Sequence, residues 1–379
     1  MVDDNDRQAQ WDIVMRVKIS LALLLLTAFP ANASEPIKIG IGIPMSGPVA
    51  STGDKVHQGV AAAVEDINAK GGILGRPLEA VYEDDACDSK QGLTIASHFV
   101  ADGVVLASHL CSAACMAARD VYRDNNILMM ATGCSNGALT AEGYPLIQRA
   151  YYSAAELGNS VADYILQHKT IKRIAFIVDR EGYTFDFSQH VRERLAEKNI
   201  TPLDDETLST GERDFTAAIT KFKSDKADLI VLAAWPNELG LFVRQAREAG
   251  LKAAIISPDT GMIDVVAQIA GPAVDGLLFV YTPDYRNEPR AKNLVAEYKA
   301  KHIDPSGFTV FPYAMIEAYA QAVTQTGSTD PEKVAQTLRL NKFRTVIGDI
   351  GFDDKGNLIG VAPVVYSYEG TSYKPLTEK

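Results

Sequence analysis

Short apolar segments alternate along the first part of the chain with longer segments whose apolar residues recur every three or four positions. Residues 37–43, IKIGIGI, are mostly apolar and β-branched, which is typical of a buried strand. Residues 54–69 carry their apolar residues on one helical face, and Gly71 indicates the end of that helix. The alternation continues with strands near 78–82, 104–108 and 127–131 and helices near 91–101 and 114–125. This order predicts a parallel sheet covered by helices on both faces.

The same pattern restarts after residue 150. It predicts strands near 173–179, 229–234 and 253–258 and helices near 157–168, 188–198, 215–224, 239–249, 291–301 and 312–326. Short strands around a DDKGN turn follow. We therefore predict an α/β fold with two similar doubly wound parallel-sheet lobes, joined by crossover strands around a ligand cleft. The predicted lobes are residues 34–153 with 283–362, and residues 154–282 with 363–379.

The first 33 residues contain the pattern of an export signal. A basic start at Arg16 precedes a short apolar run, residues 21–26, and the small-x-small sequence ANA ends at Ala33. We expect a signal peptide that begins near Met15, follows an N-terminal extension, and directs the protein to the periplasm. A buried helix or an uncleaved anchor is the alternative, and whether translation starts at Met1 or Met15 stays open.

Composition narrows the possible partners. The net charge of −11 and the absence of a basic run argue against binding to nucleic acid or anionic lipid. In an oxidising compartment the four cysteines are expected to form disulfides rather than a zinc site. Four cysteines allow three pairings, which the sequence alone leaves open.

In open α/β sheets, ligands bind beyond the carboxyl ends of the strands. Six predicted loops lie there: 45–54, 109–113, 132–137, 180–186, 235–238 and 259–262. Polar groups in these loops are the candidates for ligand contacts.

Three candidates belong to the first lobe. Ser112 stands just before a helix, where its hydroxyl and the free backbone N–H groups suit an anion; capping of the helix is the alternative. Gly133 lets the backbone approach a ligand, and Ser135 supplies a second hydroxyl, although the same residues also suit an ordinary polar turn.

Three further candidates belong to the second lobe. Asp259 follows a strand and offers a carboxylate to a cation, or else caps the next helix. Trp235 is one of two tryptophans and suits a ligand wall or a core position. Tyr183 is a weaker candidate of the same kind.

Catalytic motifs are missing from the sequence. There is no Gly-x-Ser-x-Gly elbow, phosphate loop, Cys-x-x-Cys pair or zinc-type histidine spacing. His109 lies near Ser112, but no partner carboxylate for a triad is evident. We therefore expect a binding protein, not an enzyme, without a cofactor or metal.

At these loops the sequence resembles the periplasmic leucine/isoleucine/valine-binding proteins, type I solute receptors of ATP-driven importers. The matching stretches are IGIPMSGPVASTGD, GVAAAVEDINAKGGILGRPLE, YEDDACDSKQ, HLCS, NNILMMATGCS, LTAEGYPLIQR, FVRQAREAGLK and GFDDKGNLIG. They extend over most of the chain and together are specific to the family.

The resemblance implies a disulfide between Cys87 and Cys111 that braces the first lobe and the loop that carries Ser112. Cys115 and Cys134 are outside the family pattern, so a second bridge and free thiols stay open.

The resemblance also implies roles for the candidate residues. Ser112, Gly133 and Ser135 match positions that hold the α-carboxylate and ammonium of an amino acid. Asp259 stands where relatives usually have a glutamate that pairs with the ammonium, and Tyr183 matches a cleft tyrosine.

The side-chain pocket departs from the family pattern. Trp235 and Thr52 each replace a tyrosine, and Phe308 matches a pocket wall in a poorly aligned region. These differences leave the ligand of the pocket open.

The implied function is that of a monomeric substrate-binding component of an ABC importer. It would bind a free, branched-chain-like amino acid between two closing lobes and deliver it to a permease driven by an ATPase. The alternatives are a receptor for another small carboxylate, such as an aromatic acid or short amide, and a periplasmic sensory module.

Overall fold

The first half of the chain builds one parallel sheet from its short apolar segments. The computed structural model describes residues 34–47, 49–179, 182–203 and 205–376, so the predicted signal peptide lies outside the described residues. The strands of this sheet are β1 (Ile37–Ile43), β2 (Leu78–Asp84), β3 (Leu106–His109), β4 (Leu128–Ala131) and β5 (Ile147–Arg149). They pair in the order β2-β1-β3-β4-β5, and every neighbouring pair is parallel.

A second sheet repeats this order. Its parallel strands are β6 (Ile174–Asp179), β7 (Glu206–Leu208), β8 (Leu229–Ala233), β9 (Ala254–Ser257) and β10 (Leu277–Tyr281). Their order, β7-β6-β8-β9-β10, matches that of the first sheet. The prediction of two similar doubly wound lobes is therefore confirmed.

The C-terminal segment completes the sheets. Strands β11 (Phe343–Thr345), β12 (Gly348–Phe352) and β13 (Leu358–Ile359) form a small antiparallel sheet, and the DDKGN turn connects the last two as predicted. Strands β14 (Val364–Glu369) and β15 (Ser372–Pro375) then return to the second sheet, where β14 pairs antiparallel with β10.

Helices cover both sheets. They are α1 (Ala50–Ala69), α2 (Ser89–Ala101), α3 (Ser112–Asp124), α4 (Ala154–Gln167), α5 (Gly182–Ala196), α6 (Thr216–Ser224), α7 (Pro236–Glu248), α8 (Asp264–Ala270), α9 (Lys292–Ala300), α10 (Gly307–Thr326) and α11 (Pro331–Leu340). In the part of the chain that the structure describes, no helix combines the length and apolar character needed to cross a membrane.

Several helices begin earlier than their patterns predict. Helix α1 begins four residues before the predicted start, and α5 begins six residues before, so Thr52 and Tyr183 lie in helices rather than in loops. The residue before α1 is Val49, whose side chain makes no capping hydrogen bond. Because a polar cap is the main start signal in a sequence, such a helix start is not visible there.

The chain passes between the two large sheets in three places. It crosses after β5, after β10 and before β14. These crossings lie near the predicted lobe boundaries, and the boundaries themselves stay a prediction. The carboxyl ends of β1, β3 and β4 face those of β6, β8 and β9 across a cavity.

Candidate functional site

A cavity lies between the carboxyl ends of the two sheets. All eight residues that the sequence predicts as ligand contacts line it. The complete lining is Val49, Thr52, Leu110, Cys111, Ser112, Gly133, Ser135, Tyr183, Trp235, Asp259, Thr260, Ile263 and Phe308. The structure thus brings the candidates together, while their role as ligand contacts stays a prediction.

Ser112 is the first residue of α3 and does not cap it. The capping position belongs to Cys111, whose side chain makes no capping hydrogen bond. The Ser112 Oγ instead accepts a hydrogen bond from the Asn136 N–H at 3.3 Å, which leaves its own proton free to be donated. The first N–H groups of α3 have no intrahelical acceptor and carry partial positive charge. This corner of the cavity therefore suits an anionic group.

The loop after β4 forms the neighbouring part of the wall. A side chain at Gly133 would place its Cβ 2.3 Å from the Leu110 Cδ1 and 2.9 Å from the Leu110 carbonyl oxygen, so the close approach requires glycine. Ser135 is buried, and its carbonyl accepts a hydrogen bond from the Ala154 N–H at 2.7 Å. The Ser135 hydroxyl donates to the Gly133 carbonyl at 3.4 Å, and both residues line the same cavity as Ser112.

Two disulfides brace this wall. The expected Cys87–Cys111 bond is present and ends directly before Ser112. The second pair, which the sequence left open, is Cys115–Cys134. Because Cys115 lies in the first turn of α3 and Cys134 lies in the loop after β4, this bond ties the two parts of the wall to each other.

Asp259 stands on the opposite side of the cavity, in a 3₁₀ turn that follows β9. Its side chain does not act as a helix cap. The Tyr183 hydroxyl donates a hydrogen bond to Oδ1 at 2.6 Å, and the Tyr151 hydroxyl donates one to Oδ2 at 2.9 Å. Tyr151 was not among the predicted site residues, because it follows a strand of only three residues that the pattern does not reveal.

Burial dominates the electrostatics of this cluster. It raises the pKa of Asp259, although the hydrogen bonds from the two tyrosines oppose that shift. Burial and the neighbouring carboxylate raise the pKa of Tyr151 and of Tyr183 well above the usual range, so both phenols remain protonated donors. Among the described residues that line the cavity, Asp259 carries the only charged side chain. Its electrostatic complement is a cationic group.

The remaining wall is largely apolar. Thr52 comes from the first turn of α1, Phe308 from the start of α10, and Trp235 from the position before α7. Phe308 stacks on Tyr151 with ring centroids 6.0 Å apart and an interplanar angle of 19°. Such a wall suits an uncharged, mainly hydrocarbon side chain.

Two polar contacts connect the two sides of the cleft. The Gly137 N–H donates to the Asp186 Oδ2 at 2.8 Å. The Lys55 Nζ lies 3.4 Å from the Asp264 Oδ2. These contacts hold the cleft walls together without taking part in the cavity lining.

His109 does have a carboxylate partner, which corrects the sequence analysis. Its Nδ1 lies 2.9 Å from the Asp85 Oδ2, its Nε2 lies 2.8 Å from the Tyr122 hydroxyl, and all three side chains are buried. The partner was missed because Asp85 is 24 residues away in sequence. None of the three lines the cavity, and the network ties the end of β3 to the segment after β2 and to α3.

Asp85 also lies close to the sulfur atoms of Cys87 and Cys111, a grouping of residue types that bind metals. Both sulfurs are joined in the disulfide. The grouping therefore has no thiolate to offer a metal ion.

Comparison with known proteins identifies relatives along nearly the whole chain. The family description "periplasmic binding protein" matches residues 36–366. The Leu/Ile/Val-binding protein of Escherichia coli is 37% identical over 347 residues, which are 90% of this chain and 94% of that protein. The leucine-, isoleucine-, valine-, threonine- and alanine-binding protein of Pseudomonas aeruginosa is 35% identical over 338 residues, 89% of this chain and 91% of that protein.

A solved structure supports the same assignment at the level of the fold. The leucine binding protein of Thermotoga maritima superposes with a TM-score of 0.83 at 24% identity. The superposition covers 90% of this chain and 98% of that chain.

Proposed function

This chain belongs to the periplasmic binding protein family, and we propose that it is the substrate-binding component of an amino-acid ABC importer. The observation that carries the proposal is the arrangement of charge in the cavity. Neutral donors at Ser112, Gly133 and Ser135 face one buried carboxylate, Asp259. A free amino acid carries the complementary pair of groups, a carboxylate and an ammonium.

In this proposal the ligand carboxylate lies at the start of α3. It accepts hydrogen bonds from the Ser112 hydroxyl and from free backbone N–H groups, and from the Ser135 hydroxyl once that group turns away from the Gly133 carbonyl. The ammonium pairs with Asp259, and the ligand side chain packs against Thr52 and Trp235. Relatives named for leucine, isoleucine and valine support an aliphatic side chain.

Binding and closure of the cleft are coupled. Only a ligand that contacts both walls stabilises the closed form over the open form. We propose that the protein works as a monomer in the periplasm after export, with lobes divided near residues 153, 282 and 362. A membrane permease with its ATPase would receive the closed form.

A thermal-shift screen tests the ligand class. Protein that has been unfolded and refolded without ligand is heated with leucine, with leucinamide, which lacks the carboxylate, and with 4-methylpentanoate, which lacks the amine. A ligand that binds only the folded protein raises the unfolding midpoint by mass action. We expect leucine to give the largest shift.

Other outcomes of the screen separate the competing functions. A larger shift with 4-methylpentanoate or benzoate than with any amino acid would contradict the amine contact and favour a receptor for simple carboxylates. Loss of leucine uptake on deletion of the gene would support the transport role. Normal uptake with a lost behavioural or transcriptional response would indicate a sensory module instead.

A further inference from the structure

A buried arginine lies directly behind the wall that faces the proposed ligand carboxylate. Arg149, the last residue of β5, has no exposed surface. Its Nη1 donates to the Cys134 carbonyl, and its Nη2 donates to the Asn136 carbonyl at 2.8 Å and to the Thr140 Oγ1 at 3.1 Å. Its Nε donates to the Asn357 Oδ1 at 3.3 Å. All four acceptors are neutral oxygen atoms.

Burying the charge of Arg149 among neutral acceptors costs free energy of folding, and a purely structural role would not require it. A buried charge is normally paired with an opposite charge, whereas Glu156, Asp186 and Asp353 act on Arg149 only through longer-range electrostatics. Burial lowers the pKa of Arg149 to about 10, so the guanidinium is still charged at neutral pH. The charge therefore remains, and the loop after β4 supplies most of its hydrogen-bond acceptors.

The contacts of Arg149 determine how that loop faces the cavity. The carbonyls of Cys134 and Asn136 are turned towards the arginine, and Ser135 between them lines the cavity. Within the described residues, the N–H groups of Gly133 and Ser135 donate to no protein acceptor. A carbonyl oxygen that turned into the cavity would repel a carboxylate, whereas a free N–H attracts it.

We propose that Arg149 is a positioning residue that sets the preference of the site for a carboxylate. It does so by holding the Cys134 and Asn136 carbonyls away from the cavity, which leaves the N–H groups of Gly133 and Ser135 to face the ligand. The proposal rests on the proposed amino-acid binding function, and it adds a residue that does not touch the ligand.

The test compares Arg149→Met with Arg339→Met. Arg339 is a matched control, because its guanidinium also donates to backbone carbonyls, those of Gly143, Tyr144 and Asp354, but does not lie behind the cavity. Calorimetry gives the ratio of the dissociation constants for leucinamide and leucine. We expect Arg149→Met to lower this ratio about tenfold, the size of one hydrogen bond to a charged group, and Arg339→Met to leave it unchanged.

Two additional measurements keep the test decisive. Arg149→Lys retains the charge without the forked donors and serves if the methionine variant does not fold; its ratio should also decrease. Amide exchange in residues 133–137, followed by mass spectrometry without ligand, should accelerate in the Arg149 variants and not in Arg339→Met.

The role of Arg149 would be overturned if its variants lost affinity for leucine and leucinamide by the same factor. Unchanged amide exchange in residues 133–137 of these variants would also overturn it. Wild-type protein that binds no amino acid would contradict the proposed function instead. In that case the exchange data would still decide whether Arg149 fixes the loop.

Discussion

Asp259→Asn removes the only charged side chain among the described residues of the cavity lining and keeps the shape of that side chain. The asparagine side chain can still accept a hydrogen bond from Tyr183 and donate one to the Tyr151 oxygen, so the local packing is retained. Loss of one partner of a buried charge pair typically costs about 2–5 kcal/mol in binding. We therefore expect the affinity for leucine to fall by roughly 30-fold to several thousand-fold.

The same substitution should stabilise the ligand-free protein. Burial raises the pKa of Asp259 in the folded protein. The protonated side chain therefore makes its full contribution to stability below pH 3.8, the ordinary pKa of the group. This contribution is lost as the pH rises through the pKa of the folded state. Above the folded-state pKa, the buried carboxylate lowers the free energy of unfolding. The asparagine variant should then unfold at a higher temperature than the wild type.

Calorimetry with leucine and thermal unfolding without ligand, both repeated between pH 4 and 8, measure these effects. Wild-type affinity should fall as the pH drops through the raised pKa of Asp259, while the weak affinity of the variant stays constant over this range. A variant that binds leucine within threefold of the wild type would refute the ammonium contact. A variant less stable than the wild type at neutral pH would refute the electrostatic argument.

Three other substitutions test separate features. Asp186→Ala removes the acceptor of the Gly137 N–H across the cleft and should weaken binding by about 1 kcal/mol, mainly through faster dissociation in stopped-flow experiments. Burial raises the pKa of Glu317 to about 7, so its stabilising contribution is lost as the pH rises from 4.5 to about 7. In denaturant unfolding, Glu317→Gln should therefore stabilise the protein by roughly 1–3 kcal/mol at pH 8 and by less at pH 5. Joint replacement of Cys115 and Cys134 by serine should lower the free energy of unfolding by about 3 kcal/mol, and equal stability would contradict the bond.

The fold was predictable where hydrophobic periodicity is strong and elements are long. Strand β1 agrees with its prediction to the residue, and the repeated β-α order is sufficient to indicate two similar sheets. Strands β5 and β7 have three residues each, which is too short for an alternating pattern to be visible. Helix α11 and its Asp330 cap were also overlooked, although aspartate followed by proline is a recognisable helix start.

The site was predictable to the extent that it depends on topology. Ser112, Gly133 and Asp259 were identified because each follows a strand of a parallel sheet, and such loops converge at one edge. The contacts between them were not predictable. Tyr151 approaches Asp259 from 108 residues away, and Arg149 reaches the loop after β4 from an adjacent strand, so both depend on the folded arrangement.

The two tyrosines around Asp259 oppose the effect of burial on the charge of its side chain. An isolated carboxylate in such a position would take up a proton, and its attraction for an ammonium would disappear. Hydrogen bonds from Tyr151 and Tyr183 favour the ionised form and limit the upward shift of the pKa. They do not neutralise the charge, because a phenol donates a hydrogen bond and carries no charge of its own. In the proposed function, the two phenols favour the charged form of Asp259 that an ammonium needs, and the ammonium supplies the positive charge that they lack.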